Sequence, residues 1–358
     1  MTEDYFSSSY LQSRERFRIA ADAIGASCDS YQVSGAGEGG LTIDVATLGP
    51  ADAPAVVVSS GVHGVEGFFG SAVQLAMLDR FSRQPPDRGL RFVLIHAINP
   101  FGFDQLRRFD EANIDLNRNF LIDPQTYKGS PAGYGALDRF LNPASPATRW
   151  ELPFHLQAMA LIARHGMPTL KAAVARGQYE YSSGLFFGGS QPAASMLVVR
   201  DHCARWIGDA PSVVHIDLHS GLGRFGECQL MPVVSDAAPA SAFIDGFPDR
   251  SLEFEATHQR TAYTVCGGMG QWFVDRFSDR PYRFALAEFG TYGPLRVLAA
   301  LRRENRFHFQ GPRDTEAQRR AKAELLECFC PRSAAWRRRV IDASLSIVDQ
   351  ASRWSQRL

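Results

Sequence analysis

The chain has few lysines, few cysteines and no net charge. Lys128, Lys171 and Lys322 are the only lysines among 38 basic residues, and 38 acidic residues balance the total. That balance leaves no electrostatic footprint for nucleic acid or an anionic membrane. The cysteines, at 28, 203, 228, 266, 328 and 330, contain no CxxC pair and no zinc-finger spacing. A chain of 358 residues can build its core without disulfide staples, so these are expected to be structural thiols in a reducing, cytoplasmic setting. No run of 18 apolar residues is available to span a membrane. The first ten residues are polar and acidic, unlike a secretory signal. Internal repeats and low-complexity blocks are also missing.

The composition is otherwise that of a soluble globular protein, 45% hydrophobic and 21% charged, which excludes a disordered chain. Short apolar runs at 54–60, 91–98, 213–218 and 284–289 read as strands covered on both faces. A further strand is expected at 41–47, and helices at 5–25 and 68–80. The alternation predicts one α/β domain over 1–358, with a mixed, mostly parallel sheet flanked by helices. Residues 121–210, helical around 151–175, read as a helical insertion beside the site. Trp336, Val340, Ala343, Ile347, Ala351 and Trp354 recur at spacings of three and four, the apolar stripe of an amphipathic helix over about 332–356. Arg337–Arg339 on that helix reads as a solvated face.

Four segments follow strands, where ligands collect in open α/β sheets. The first is Gly61-Val-His63-Gly-Val-Glu66-Gly67, in which an imidazole and a carboxylate three residues apart can face one ion. Taken alone, HxxE is also compatible with a structural role. The second holds His215, Asp217 and His219 at steps of two. His219, at the strand exit, can supply a third ligand and leave one coordination position open. Asp217 can accept from the other ring nitrogen of a ligand histidine, and His215, deeper in the strand, reads as a core histidine. In the third, Arg107 and Arg108 follow Asn99-Pro-Phe-Gly-Phe103, and Asn113-Ile-Asp115-Leu-Asn117-Arg118-Asn119 comes next. Such a cluster suits a carboxylate clamp or plain surface salt bridging. The fourth places Glu288 at the end of an apolar run, where a carboxylate is costly unless paired or used to move a proton.

Together and in this order, over about residues 54–294, the four segments resemble the zinc carboxypeptidase superfamily (M14-like metallopeptidases). The resemblance is strongest to a bacterial subgroup labelled only as a domain of unknown function, DUF2817. It implies one zinc ion per chain, held by His63, Glu66 and His219, with Asp115 orienting the first histidine. It further implies Glu288 as general base, Arg107 as the oxyanion-stabilising arginine with Arg108 the other alignment, and Asn117 and Arg118 as the grip on a substrate carboxylate. Tyr263 matches the substrate-capping tyrosine, a register that Gly267, Gly268 and Trp272 support. Three features differ from the family pattern. Val65 stands where members often carry arginine, Gly270 stands at the pocket floor, and the stretch between Arg118 and His219 is longer, able to close over the site. The expected activity is hydrolysis of a peptide or amino-acid amide. His63-Gly-Val-Glu66 and Asp217-Leu-His219 also resemble the aspartoacylase and succinylglutamate desuccinylase branch, which implies an N-acyl amino acid substrate instead. A binding protein with a degenerate site is a third reading. No G-x-S-x-G elbow is present.

Overall fold

The computed structural model describes residues 2–35, 40–146, 151–166, 176–235, 239–253 and 266–358. Eight strands form one mixed sheet: β1 (Ser27–Gln32), β2 (Thr42–Leu48), β3 (Ala55–Ser60), β4 (Arg91–His96), β5 (Val213–Ser220), β6 (Cys228–Pro232), β7 (Ser251–Leu252) and β8 (Tyr282–Phe289), in the order β1-β2-β4-β3-β5-β8-β6-β7. The four central strands, β4, β3, β5 and β8, run parallel. Antiparallel pairs extend the sheet on both sides, β1-β2-β4 on one and β8-β6 on the other. Every residue of β3, β4 and β5 is buried. Their apolar sequences are therefore what a sheet covered on both faces requires, and each fully buried valine of β3 contributes roughly 1.5–3 kcal/mol.

The helices at Tyr10–Ala23, Gly67–Arg83 and Ala334–Ser355 pack together. The last also lies against β3 and β5, with Trp336, Val340, Ile347, Ala351 and Trp354 buried along its stripe. Arg337 donates to the Pro331 carbonyl and stacks over Phe6. On the opposite face the helix Met269–Arg276 lies on β8. Gly270 allows this close approach, since a Cβ there would come within 2.5 Å of the Phe284 ring. Between Arg118 and β5 lie helices Tyr134–Leu141, Phe154–His165 and Ala194–Ile207. Among the described residues no helix is long and apolar enough to cross a membrane.

Strands β1, β6 and β7 were not foreseen. β1 (SCDSYQ) is an edge strand with no fully buried residue, so it lacks the apolar run that marks the central strands. The helix expected over 5–25 begins only at Tyr10, capped by the Ser9 side chain accepting from Gln12 N.

Candidate metal centre

The parallel strands β3, β5 and β8 end side by side, with Ser60 opposite Leu218 and His219 opposite Glu288. The chain leaves β3 through Gly61, whose φ of +67° is a left-handed turn that favours glycine. His63 and Glu66 then sit on the turn leading into helix Gly67–Arg83. Two backbone bonds tie this turn to the one after β4: Gly64 N to Arg108 O at 3.1 Å and Val65 N to Arg107 O at 2.8 Å. The fit leaves no room for a side chain, since a Cβ on Gly64 would lie 2.1 Å from the Gly102 carbonyl carbon. Asn99 closes the second turn, accepting from Gly102 N and donating to Arg108 O.

These constraints bring His63, Glu66 and His219 together, buried, with one donor atom of each within 4.8 Å of the others. His63 Nδ1 lies 2.9 Å from Glu66 Oε1, and His219 Nδ1 lies 3.2 Å from Glu66 Oε2. The other nitrogen of each ring faces an aspartate: His63 Nε2 is 3.1 Å from Asp115 Oδ1, and His219 Nε2 is 2.6 Å from Asp217 Oδ2. An ionised carboxylate only accepts, so His219 Nε2 is assigned as the donor to Asp217, while His63 Nε2 faces both Asp115 and the Arg108 guanidinium, and each Nδ1 is aimed at Glu66. The His219 Nδ1 lone pair that this leaves facing the Glu66 carboxylate needs either an added proton or a cation between them. The donor spacings are close to the roughly 3.3 Å expected for nitrogen and oxygen about 2.0 Å from a tetrahedral ion. The residues therefore fit a divalent metal, and the aspartates lie where the outer hydrogen-bond partners of ligand histidines stand.

The surrounding charges agree with this arrangement. Burial alone would raise the Glu66 pKa, but His63 and His219 outweigh it and hold the carboxyl ionised. Asp115 behaves the same way: burial is overcome by Arg108, His63 and Arg118, leaving its pKa well below the usual carboxylate range. For His219, burial lowers the pKa, but Asp217 and Glu66 raise it to about 10. Glu288 goes the other way, pushed up to about 7 by burial and by the charge of Glu66. Its Oε1 accepts from Leu222 N at 2.8 Å. A carboxyl near neutrality beside a candidate metal centre is placed to exchange a proton.

The two adjacent arginines part company. Arg108 faces the centre, with Nη1 3.3 Å from Glu66 Oε1, Nε 3.1 Å from Asp115 Oδ2 and Nη2 2.7 Å from His63 Nε2. Arg107, the expected oxyanion donor, turns away into the core. Its guanidinium donates to Glu304 at 2.9 Å, Asn113 at 3.0 Å and Asn305 at 3.1 Å, and the side chain is 1% exposed. The reason is local: Leu106 takes a φ of +53°, and the backbone bonds to Gly64 and Val65 fix which of the two neighbours lies over the HxxE turn.

Asn117 and Arg118 flank this cluster. Asn117 Oδ1 accepts from Met269 N at 3.0 Å, which docks the start of helix Met269–Arg276 on the turn. Arg118 is buried, and its Nη1 donates to Asn117 O at 2.7 Å. Tyr263 lies outside the described residues; the adjoining Gly267 accepts from Phe120 N through its carbonyl. The long stretch before β5 packs against the same turn. Asp115 N donates to Phe187 O, Asn119 holds Gly188, Gln191 and Ala193, and the Arg108 guanidinium lies 5.8 Å from the Phe186 ring centre. Phe186 itself has a φ of +61°, strained for an aromatic residue. His215 is a core residue, caged by Phe273 and Phe284. Ser59 and Tyr282, which touch His215, carry no sequence signal beyond their places at the end of β3 and the start of β8.

Fold and cluster define an α/β protein with a candidate metal centre of two imidazoles and one carboxylate at the carboxyl edge of its sheet. The chain belongs to the DUF2817 family, described as a protein of unknown function, whose model matches residues 6–343. No curated protein matches the sequence. Solved structures with a similar layout include bovine thrombin-activatable fibrinolysis inhibitor in complex with tick carboxypeptidase inhibitor (13% identity, 96% of this chain and 99% of that one, TM-score 0.49). Carboxypeptidase A from Helicoverpa armigera (13%, 89% and 73%, 0.48) and a metallo-carboxypeptidase from Burkholderia cenocepacia (13%, 90% and 68%, 0.45) are others. At this identity they assign no role to any residue.

Proposed function

We propose that this protein is a zinc-dependent hydrolase of the carboxypeptidase type, cleaving a peptide or amino-acid amide bond. The observation that carries the reading is the convergence of His63, Glu66 and His219, far apart in sequence, with Glu288 on the neighbouring strand. Zinc, when bound, would lower the pKa of a coordinated water from 15.7 toward about 7 and polarise a carbonyl. Glu288, with a pKa near 7, accepts the proton of the attacking water and returns it to the leaving amine. Arg108, not Arg107, donates to the developing oxyanion, because it is the arginine that faces the centre. Asp217 holds His219 in the tautomer that aims Nδ1 inward, and Asp115 with Arg108 orients the His63 ring. Asn117 and Arg118, on the turn after Asp115, are assigned to a substrate carboxylate.

The test is Glu288→Gln. Turnover of blocked dipeptides is expected to vanish while zinc content stays near one per chain. Full activity in the variant would overturn the reading. An N-acyl amino acid assayed in parallel separates peptide cleavage from deacylation by the ratio of kcat/KM.

A further inference from the structure

Polar side chains continue from His219 into the middle of the sheet. Asp217 Oδ2 receives His219 Nε2, and its Oδ1 receives the Ser59 hydroxyl at 2.6 Å. Ser59 Oγ lies 2.7 Å from His215 Nε2, and His215 Nδ1 lies 2.8 Å from the Tyr282 hydroxyl. All are buried. The sheet register makes the chain possible. Ser59 of β3 stands opposite Asp217 of β5, and His215, Asp217 and His219 share one face of that strand.

The proton positions follow by elimination. Asp217 can only accept, so Ser59 spends its single proton on Oδ1. The Ser59 oxygen must then accept from His215, which puts the ring proton of His215 on Nε2. His215 Nδ1 is left as an acceptor, and Tyr282 donates to it. The polarity is fixed from Tyr282 to Asp217, which also accepts from His219, with no alternative that leaves every bond one donor. His215 and Tyr282 are both neutral: burial keeps His215 down at about 4 and Tyr282 well above its usual value. Packing alone does not call for this. Among Phe273 and Phe284 an apolar residue at 215 would be satisfied without partners, whereas a buried histidine needs both nitrogens bonded.

We propose that Ser59, His215 and Tyr282 are positioning residues for the metal centre, forming a one-way hydrogen-bond chain that locks Asp217 and thereby aims His219 Nδ1 at the cation. This rests on the metal reading of His63, Glu66 and His219. Without the Ser59 hydroxyl, Asp217 keeps only one of its two anchors and can turn about its side-chain bonds, so the ring of His219 loses its fixed orientation.

Zinc affinity of the full chain, measured by competition with a chromophoric chelator, tests the proposal. Ser59→Ala is expected to weaken binding about 10–100-fold, the usual effect of removing an outer partner of a ligand. Tyr282→Phe, which removes one oxygen atom and nothing else, is expected to weaken it several-fold. On the Ser59→Ala background Tyr282→Phe is expected to cost nothing more, because the chain is already cut; a purely structural role would give additive effects. If Ser59→Ala does not fold, Tyr282→Phe carries the affinity test. Nitrogen-15 shifts of the imidazoles should independently place the His215 proton on Nε2. Unchanged affinity in the foldable variants, additive losses, or a proton on His215 Nδ1 would overturn the proposal. Failure of the unsubstituted protein to bind zinc would instead remove the metal reading itself, and shows without any substitution.

Discussion

Substituting Arg107 and Arg108 one at a time separates a residue that holds the fold from one that faces the chemistry. Arg107 and Glu304 are 1% and 2% exposed, and they pair at 2.9 Å. In Arg107→Met the Glu304 carboxylate stays buried without its counter-charge, a loss of about 3–5 kcal/mol. Asn113 and Asn305 also lose a donor each. Glu304 already has a raised pKa from burial, which Arg107 partly offsets, so the variant should take up a proton there. Adding Glu304→Gln removes the stranded charge and should recover a large part of the loss. In Arg108→Met the picture inverts. Arg108 is 11% exposed at the rim of the centre, and His63 and Arg118 stay beside Asp115 and His63 and His219 beside Glu66, so the loss of stability should be smaller than in Arg107→Met. Loss of its donated bonds is expected to lower kcat/KM by about 10²–10³, or roughly 3–4 kcal/mol of barrier. The assay is paired: urea denaturation for each variant, and turnover of a blocked dipeptide at one zinc per chain. A stable, inactive Arg107→Met beside a fully active Arg108→Met would refute the assignment and return the oxyanion role to residue 107.

Two further outcomes are expected. His96 and His215 are both fully buried, and burial lowers each from 6.5 to about 4. The folded state therefore binds fewer protons than the unfolded chain between these values. The stability they contribute is present above pH 6.5 and lost as pH falls toward 4, by roughly 3 kcal/mol each. Denaturation midpoints measured from pH 7 to 4 should drop steeply, and His96→Phe, which keeps the stack on Phe17, should flatten the drop; an unchanged slope would contradict it. Gly64→Ala puts a Cβ within 2.3 Å of three backbone atoms of Gly102 and Phe103, which cannot yield as a flexible side chain does. Strain of about 1–3 kcal/mol or more is expected, together with weaker zinc binding as His63 and Glu66 shift; wild-type values on both measurements would sink this.

What the sequence could say about the site depended on whether strand periodicity reached the residue. His219 and Glu288 lie on apolar strands whose ends are marked in sequence, and steps of two along β5 put His215, Asp217 and His219 on one face before any coordinates are known. The central sheet was legible from its short apolar runs, since strands covered on both faces are largely apolar. Arg107 and Arg108 sit in a turn, where no period applies. Neighbouring side chains there diverge by whatever dihedrals the turn takes, and the left-handed Leu106 together with the bonds from Gly64 and Val65 decides between them. Motif alignment could narrow the choice to two residues and go no further. Ser59 shows a different limit. It ends an apolar strand like many serines do, and its meaning comes only from the pairing that sets it across from Asp217. Register between residues 158 positions apart is a property of the assembled sheet. Residues that act through another side chain, as Ser59 and Tyr282 are argued to do, therefore leave almost no trace in one sequence, while those that would touch the metal are constrained in type and spacing by its chemistry and can be read directly.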